Sequence, residues 1–463
     1  MSLSSIAGLL LVAPLLLVSP AADDGLARSG IKDRDLTKVG KNIVSYFTAL
    51  GEDDRGAQKD SLDDISGTLG KAAKKAKADA PLTAYLGDWD YLLEQSKPQP
   101  REFKGGAGKG FFKHAFVEPY DETSLGVMIS LPADYAKGEL YPVIVALKPT
   151  LGASGAALEK QVAEMGQAIY GELLKTHIVL VPLGPDQGSG RRKESIEIEG
   201  GWFTDEGLYA FFTGFRVLLE QVRFDRSRVV LDGWGDAGLD ALRIVTTSSF
   251  FAGFISRSGG VDAPDVLLEN LDGIHVLYVQ GAGDGGASPG KLEGMAGGDD
   301  SITILSESGS AMTPSAETQG ATAEWLSKVQ VDLARSELTY KLGDIRFQAR
   351  NWCKAAVINR RVTAKPADKD FPRFKASVNR DANTIAIESV NVLEMEIYLN
   401  DALVDMSAPV TITVNGEVKS KRTPRPSLRM LLDNRYYNNS QDYGLYTDMV
   451  LIEGIPANVP GRR

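Results

Sequence analysis

Nucleophilic catalysis requires an attacking oxygen or sulfur atom with a base close to it, and few residues of this chain suit that task. The single cysteine, Cys353, lies in the stretch Asn-Trp-Cys-Lys without a histidine nearby, which favours a buried structural thiol and excludes an internal disulfide. The chain has three histidines. His177 and His275 stand at the beginnings of apolar runs typical of strands. His114 lies in the aromatic stretch Phe-Phe-Lys-His-Ala-Phe, ahead of the first predicted strands, where a packing or surface role is expected.

The most informative stretch runs from Arg228 to Leu242, where an apolar strand passes into a helix through the small-residue turn Asp-Gly-Trp-Gly-Asp-Ala-Gly. This turn resembles the nucleophile elbow of the α/β-hydrolase family. In that family small residues stand two places before the nucleophile and two and three places after it. Gly233, Ala237 and Gly238 satisfy those positions, and the nucleophile position is then Gly235.

Other segments resemble the same family in the same order along the chain. Residues 141–149 look like its third strand and oxyanion loop, and Gly201-Trp202 looks like the segment before its central helix. Residues 274–284 look like the strand that delivers the triad acid, here Asp284. Over roughly residues 115–330 the chain is similar to exported esterases, polyhydroxybutyrate depolymerases and dienelactone hydrolases. The resemblance implies an α/β-hydrolase fold and, where the site is intact, hydrolysis by a serine, a histidine and an acid.

The matching positions depart from the family pattern at four places, three of them near the elbow. Gly235 has no side chain that can attack a substrate. The oxyanion loop opens with Lys148-Pro149 instead of His-Gly, and Pro149 has no amide hydrogen to donate. Asp236 places a carboxylate beside the second oxyanion donor, where it repels a developing negative charge.

The fourth departure is the missing histidine. The segment that should supply the base, residues 302–312, contains Ser310 and no histidine. His177 and His275 stand about six residues from the carboxyl edge of the sheet, which is on the order of 20 Å, so neither can act there. Asp284 keeps the place of the acid without a histidine to orient, and we expect it to cap amides in its glycine-rich turn.

Two alternative nucleophiles are weaker. A register shift to Asp236, as in dehalogenases and epoxide hydrolases of the same fold, puts bulky Trp234 where the turn requires a small residue, and it still lacks a histidine. Ser258, in Ser-Arg-Ser-Gly-Gly, fits the small residues that commonly end the following strand.

The fold leaves a depression beside the elbow, and four residues are candidates for lining it. Core packing is an equally good interpretation of the tryptophan that precedes the central helix, whereas the tryptophan next to the elbow is a hypothetical ligand platform. The candidate lining residues are Lys148, Trp202, Trp234 and Asp236.

No cofactor or metal site is predicted. The stretch Gly105 to Gly110 superficially resembles a phosphate loop, but Phe103 stands where the leading glycine belongs and no Ser or Thr follows Lys109. The paired carboxylates of the chain lack the alternating oxygen ligands of a calcium loop. A net charge of -10, spread along the chain, argues against nucleic acid as a partner.

The elements that must position these residues fall into four regions. Residues 1–22 contain an uncharged apolar run from Ile6 to Val18 followed by small residues, which predicts a signal peptide and export to the periplasm or the outside. About thirteen apolar residues are too few for a spanning helix, which needs roughly 20. Residues 23–98 carry apolar side chains at helical spacing and are predicted to be helical.

In residues 99–334 apolar runs alternate with amphipathic helices, which predicts a doubly wound, mostly parallel α/β sheet. Residues 335–463 carry strand-like runs separated by turn signals such as Asn415-Gly416, which predicts an antiparallel β-rich accessory domain. Within it, residues 397–416 resemble a β-rich tail seen on some exported bacterial members of the family.

These features predict an exported α/β-hydrolase-fold protein that has lost its catalytic groups and serves in binding or structure, with a ligand or protein partner of unknown identity. The alternative is an active esterase or peptidase-like hydrolase with a relocated nucleophile and base. A second subunit that supplies the missing groups is also consistent with the sequence.

Overall fold

The computed structural model describes most of the chain after residue 25. The predicted signal peptide, residues 1–22, lies outside the described residues. The described residues are 26–117, 124–135, 139–187, 194–198, 200–261, 263, 266–284, 289–296, 301–332, 335–344, 346–359, 369–437 and 444–457.

A helical region comes first, and its helices are set by local signals. The side chain of Asp54 caps one helix by accepting a hydrogen bond from the Ala57 amide, and Lys77 ends the same helix in a left-handed conformation with φ +59°. The helices are α1 (Asp33–Leu36), α2 (Gly40–Gly51), α3 (Arg55–Ala76), α4 (Leu86–Ser96) and α5 (Arg101–Gly106).

Within the described residues, a large sheet comprises nine strands. Its strands are β1 (Phe112–Val117), β2 (Ser124–Ser130), β3 (Tyr141–Leu147), β4 (Ile178–Gln187), β5 (Glu194–Ser195), β6 (Phe224–Trp234), β7 (Gly253–Arg257), β8 (His275–Gly281) and β9 (Ile302–Glu307).

The strand order is β1-β2-β4-β3-β6-β7-β8-β9, with the short β5 paired to β4. The pairs β1–β2 and β2–β4 are antiparallel, and the strands from β4 through β3 to β9 run parallel. The predicted doubly wound, mostly parallel sheet is therefore confirmed, and its strand order is that of the α/β-hydrolase fold. The prediction missed β1, which contains His114; this residue packs edge-to-face against Phe103 with 5.0 Å between ring centres.

Helices cover both faces of this sheet, so its central strands are apolar on both sides. In β3, Val143 and Val145 face the core beneath α7 and α8, whereas Ile144 faces the opposite core beneath α6 and α10. The covering helices are α6 (Gly155–Tyr170), α7 (Asp205–Gln221), α8 (Ala237–Thr247), α9 (Lys291–Ala296) and α10 (Ala316–Lys328).

The remaining strands build a sandwich of two smaller sheets around one core. The first has the order β10-β13-β14-β16-β17 and the second β11-β12-β15-β18. The strands are β10 (Glu337–Lys341), β11 (Ala349–Arg350), β12 (Cys353–Ile358), β13 (Arg373–Asn379), β14 (Thr384–Val390), β15 (Val392–Leu399), β16 (Val410–Val414), β17 (Glu417–Arg422) and β18 (Asp448–Ile452), and a helix, α11 (Leu428–Tyr437), precedes β18.

The sandwich departs from the predicted antiparallel pattern at one pair, because β14 and β16 are parallel. The strand between them in sequence, β15, crosses to the other sheet, so the chain returns in the same direction. Asn415 and Gly416 make the predicted turn between β16 and β17 with φ of +51° and +82°. Cys353 is buried and free, as predicted, and burial raises the pKa of its thiol.

The helix α11 leaves the sandwich and packs into the N-terminal helical region. Leu431 and Leu432 of α11 are buried in one core with Ile43, Tyr46 and Trp89. The N-terminal helices therefore complete their core with a segment near the other end of the chain. Within the described ranges, no helix combines the length and the apolar character needed to cross a bilayer.

Candidate functional site

The turn between β6 and α8 has the geometry of an elbow with Gly235 at its tip. Gly235 has φ +57°, and its N–H donates to the carbonyl oxygen of Arg257 over 3.0 Å. A Cβ atom built on Gly235 would meet no heavy atom within 4 Å. Asp236 follows with φ -64°, so the left-handed position belongs to Gly235, and the register with Asp236 as nucleophile is not the one adopted.

The small residues that flank the elbow are required by close backbone packing. A Cβ atom on Gly233 would lie 2.5 Å from the Cα of Gly238. A Cβ atom on Gly238 would lie 2.7 Å from the Oγ of Ser256 and 2.8 Å from the Cα of Gly259. The helix α8 thus leaves the sheet so tightly that side chains at these positions would collide.

The loop that follows β3 is occupied by a carboxylate of the chain itself. Glu197 accepts hydrogen bonds from the amides of Leu151 and Gly152, each 2.7 Å long, and its carboxylate lies 2.9 Å from the ammonium group of Lys148. Partial burial opposes ionisation of Glu197, but the hydrogen bonds from Leu151 and Lys148 outweigh it and lower its pKa. The amides of the segment that resembles an oxyanion loop therefore already hold a negative charge.

Lys148 is only 3% exposed, and burial lowers the pKa of its ammonium group although Glu197 counteracts this. The indole N–H of Trp202 donates to the carbonyl oxygen of Lys148 over 2.9 Å, and the Trp202 amide donates to the carboxylate of Asp240 over 2.7 Å. These contacts join the loop after β3 to the segment before α7 and to α8.

A cavity of about 60 Å³ lies between these segments. Ligand pockets usually measure about 300–1,000 Å³, so this cavity has no room for a substrate of ordinary size. Three of the four predicted lining residues surround it, namely Lys148, Trp202 and Asp236. The complete lining comprises Lys148, Pro149, Thr150, Ile198, Gly201, Trp202, Asp236, Ala237 and Asp240.

Trp234, the fourth predicted lining residue, lies elsewhere, so that prediction is wrong. Its side chain is completely buried in the core on the α6 side of the sheet. Its indole N–H donates to the hydroxyl of Tyr170, which in turn donates to the carboxylate of Asp232 over 2.9 Å. Arg257 also donates to Asp232 over 2.9 Å. Side chains alternate between the faces of a strand, and this alternation directs Trp234 into a buried network beneath the elbow.

Asp284, at the position of the acid, is surrounded by donors that are not histidines. Its carboxylate accepts hydrogen bonds from the Ser258 hydroxyl (2.6 Å), the Ala311 amide (2.9 Å) and the Ser310 side chain. Burial opposes ionisation of Asp284, but the hydrogen bonds from Ser258 and Ser310 lower its pKa. Ser258 adopts φ +53°, and its Oγ accepts the Gly281 amide over 2.9 Å. Asp284 thus acts as a hydrogen-bond acceptor that ties three loops together.

No histidine lies at the carboxyl edge of the sheet, where the elbow is. His177 immediately precedes β4, and His275 is the first residue of β8. The strand β8 spans six residue steps to Gly281, which corresponds to roughly 20 Å at ~3.3 Å per residue. His114, in β1, contacts the side-chain oxygen of Gln221 over 2.8 Å. An imidazole base is therefore absent from the elbow, since these three residues are all the histidines of the chain.

Sequence reasoning missed Glu197 and Asp240, which are central to this site. Glu197 lies 46 residues from the amide of Leu151 that it accepts, and no spacing rule connects the two segments. In the part of the chain that the structure describes, no cluster of three or more His, Cys, Asp or Glu residues is placed to hold a metal ion.

Comparison with known proteins gives weak likenesses. A scan against protein-family models finds no match, and a search of curated proteins finds none. Among solved structures, the chain is similar to a thermostable esterase (17% identity, TM-score 0.37), with 48% of this chain and 63% of that chain covered. It is also similar to S-formylglutathione hydrolase from Agrobacterium tumefaciens (14% identity, TM-score 0.34, 48% and 96% covered). A third is a ferulic acid esterase from Anaeromyces mucronatus (15% identity, TM-score 0.33, 47% and 90% covered).

The matched region spans less than two thirds of the thermostable esterase. Likeness at these identities and TM-scores carries no conclusion about what this chain does. The fold assignment rests on the strand order of the sheet itself.

Proposed function

We propose that this chain is an exported protein of the α/β-hydrolase fold that does not catalyse ester or peptide hydrolysis and that serves in binding or structure. The observation that carries the proposal is the state of the elbow tip. Gly235 holds the left-handed conformation of a nucleophile elbow, with open space in front of it, yet it has no side chain. Covalent catalysis by this fold requires an attacking group at that point.

The loop after β3 supports the same proposal. Stabilisation of an oxyanion depends on amide hydrogens that point at an empty position where negative charge develops. The amides of Leu151 and Gly152 instead donate to the Glu197 carboxylate. A substrate oxygen would have to displace a charged side chain that is also paired with Lys148.

The elbow also has no imidazole base near it. General-base catalysis contributes about 10²–10⁴-fold to the rate, and in this fold histidine normally provides it. Asp284 has no histidine to orient, and its carboxylate is already bonded to Ser258, Ser310 and Ala311.

A relocated nucleophile at Ser258 is the second candidate, because its hydroxyl donates to Asp284 at 2.6 Å from a strained backbone conformation. Two features count against it. The hydrogen bonds that lower the pKa of Asp284 make that carboxylate a weak base. The Ser258 oxygen also accepts the amide of Gly281, which uses electron density needed for attack.

A covalent probe and a substrate panel test the proposal. The purified chain is incubated with p-nitrophenyl esters, with peptides and with a fluorophosphonate, and adducts are sought by mass spectrometry. We expect no adduct, and the same background turnover for the native chain and for the variants Gly235→Ala, Ser258→Ala and Asp284→Asn. An acyl or phosphonyl adduct at any residue would establish an enzyme, as would turnover that Ser258→Ala or Asp284→Asn abolishes.

Export is the second part of the proposal, and it is supported by the apolar run from Ile6 to Val18 and the small residues after it. Expression of the full chain in a bacterium, followed by fractionation and N-terminal sequencing, tests it. We expect a chain shortened by about 22 residues in the periplasm or the medium. A full-length chain confined to the cytoplasm would refute export.

A further inference from the structure

A groove of about 410 Å³ lies between the large sheet domain and the β-sandwich. It shares no lining residue with the cavity beside the elbow. We call it the interdomain groove, and it is lined by Asp205, Leu208, Tyr209, Phe212, Thr213, Arg216, Thr247, Ser248, Arg346, Phe347 and Ala349.

One wall of the interdomain groove is a single stripe of α7. Its lining positions recur at intervals of three and four residues, which places them on one face of the helix. Tyr209 of this stripe is 42% exposed. Phe212 faces Phe347 of the sandwich, with 5.7 Å between ring centres and 36° between ring planes. The walls are thus aromatic, and rings come from both domains.

The charged groups of the groove already have partners. Arg346 is paired with Asp344 (2.6 Å) and with Asp205 (2.5 Å). Arg216 is paired with Glu220 at 2.7 Å. An anionic ligand would therefore compete with carboxylates that are in place, so the charge pattern favours a neutral ligand.

Two backbone carbonyl groups of the groove lining also have hydrogen-bond partners. The carbonyl oxygen of Thr247 accepts the hydroxyl of Tyr340 over 3.1 Å, and that of Ser248 accepts the guanidinium of Arg350 over 3.2 Å. These two carbonyl groups therefore have hydrogen-bond partners in β10 and β11 of the sandwich.

Thr213 is a lining residue of the α7 stripe that carries a hydroxyl group. Its side chain is largely buried, with 3% of the residue exposed. A ligand oxygen within hydrogen-bonding distance of this hydroxyl gains the net free energy of one hydrogen bond.

We propose that the interdomain groove binds a neutral, planar aromatic molecule of one or two rings whose hydroxyl or carbonyl oxygen forms a hydrogen bond with Thr213. The volume falls within the usual range for small ligands, and junctions between domains are frequent places for such sites. The aromatic rings of Tyr209, Phe212 and Phe347 stack on the ligand, and Thr213 fixes its orientation. The site is independent of the elbow and of whether the elbow has lost catalysis.

Three matched competitors of a fluorescent probe test the ligand class. 1-Naphthylamine, which is neutral at pH 7 and whose fluorescence changes in apolar sites, is titrated onto the full chain and then displaced by naphthalene, 2-naphthol or 2-naphthoate. We expect saturable binding of one equivalent. One hydrogen bond corresponds to a preference of about two- to tenfold, so 2-naphthol should displace the probe better than naphthalene by that factor. Displacement by anionic 2-naphthoate as strong as by 2-naphthol would overturn the proposed ligand class.

Variants locate the site. Thr213→Val keeps the shape of the side chain and should abolish the advantage of 2-naphthol over naphthalene. Tyr209→Ala alters an exposed ring and should weaken all three competitors. Tyr437→Ala, at an aromatic residue that is 64% exposed and outside the groove, is the matched control and should change nothing. Thermal unfolding verifies that each variant is folded.

Two outcomes contradict the proposal outright. The first is the absence of saturable probe binding by the native chain. The second is binding that is the same in the native chain, Tyr209→Ala and Thr213→Val. Because Gly235→Ala should leave probe binding unchanged, a failure here does not alter the conclusion about the elbow, and an active elbow would not rescue the groove.

Discussion

The carboxylate of Glu94 and the guanidinium of Arg435 form a buried ion pair 2.5 Å long between residues 341 positions apart in the sequence. Glu94 lies in α4 and Arg435 in α11, so the pair joins the N-terminal helices to the helix that leaves the sandwich. The second oxygen of Glu94 contacts the ammonium group of Lys97, which also donates to the carbonyl oxygen of Val222 over 3.0 Å. Three parts of the chain therefore meet at one carboxylate.

Replacement of Glu94 should destabilise the chain more than replacement of Arg435. Glu94→Gln leaves two buried cations without their anion, and breaking a buried ion pair in this way typically costs about 3–5 kcal/mol. Arg435→Met leaves the contact between Glu94 and Lys97 in place, so we expect a loss of only about 1–3 kcal/mol. The free energy of unfolding from urea titrations measures both.

The exposed pair between Lys59 and Asp63 provides the control for this prediction. Asp63→Asn should cost less than about 1 kcal/mol, as exposed ion pairs usually do. If Glu94→Gln cost no more than Asp63→Asn, the buried cluster would not hold the three parts together.

Asp90, one turn before Glu94, should make the chain less stable as the pH rises. Its Oδ1 atom is buried without a hydrogen bond among the described residues. Burial, and then the charge of Glu94, raise the pKa of Asp90 from 3.8 to about 7. The native state therefore holds a proton that the unfolded chain releases, and the corresponding stability is lost between about pH 4 and about pH 7.

The variant Asp90→Asn removes this titration. It should match the native chain at pH 4 and exceed its stability at pH 7 by an amount on the order of 2–4 kcal/mol. Urea titrations over this pH range measure the difference, with Asp60→Asn on the exposed side of α3 as control. A parallel pH dependence for the native chain and Asp90→Asn would show that Asp90 ionises normally.

Glu197 should prove important for stability although it lies beside a cavity. Glu197→Ala leaves the buried Lys148 without its anion and two amides without an acceptor, and we expect a cost of about 2–4 kcal/mol. Glu197→Gln keeps one acceptor oxygen and should cost less. The lowered pKa of Glu197 means that its contribution is present above its ordinary value of 4.5 and is lost on further acidification.

The same pH series checks this explanation. As the pH falls below 4.5, the stability of the native chain should approach that of Glu197→Gln, since the native carboxylate is protonated on further acidification and the amide of the variant does not titrate. A difference in stability that does not change over the whole acidic range would mean that the charge of Glu197 is not what holds the loop.

The parts of this fold that could be predicted are those that local spacing determines. Apolar runs such as residues 143–147 alternate with amphipathic helices. A strand with apolar side chains on both faces buries them only when helices cover both faces of its sheet. The elbow could be predicted for a steric reason. Gly233 and Gly238 approach each other so closely that a side chain at either position would collide, and this requirement is seen in the sequence as two glycines at a fixed spacing.

Contacts between distant segments could not be predicted in this way. Trp234 was assigned to the wrong side because both faces of its strand are apolar, so periodicity does not indicate which face it occupies. Nothing near Glu197 or Glu94 in the sequence indicates partners 46 and 341 residues away. Such carboxylates find their partners only when the whole chain is folded.

A nucleophile and a base introduced by substitution at the elbow should confer hydrolytic activity. Gly235→Ser should fold, because open space surrounds the new side chain, with a cost of about 1–2 kcal/mol for the left-handed conformation. It should not hydrolyse p-nitrophenyl acetate above background, since none of the three histidines of the chain lies near the elbow. Adding Ser310→His places an imidazole next to Asp284, and the double variant should exceed Gly235→Ser by at least about tenfold.

The triple variant with Glu197→Gln should be faster still, because only one of the two amides, those of Leu151 and Gly152, then keeps its acceptor oxygen and the other can stabilise an oxyanion. Ser310→His without Gly235→Ser is the matched control and should remain inactive. If the double variant folds and still shows no activity, then Asp284 and Ser310 do not stand where an acid and a base once worked with this elbow. The inactivity of the double variant would then have to be explained by the backbone of the site and not by its side chains alone.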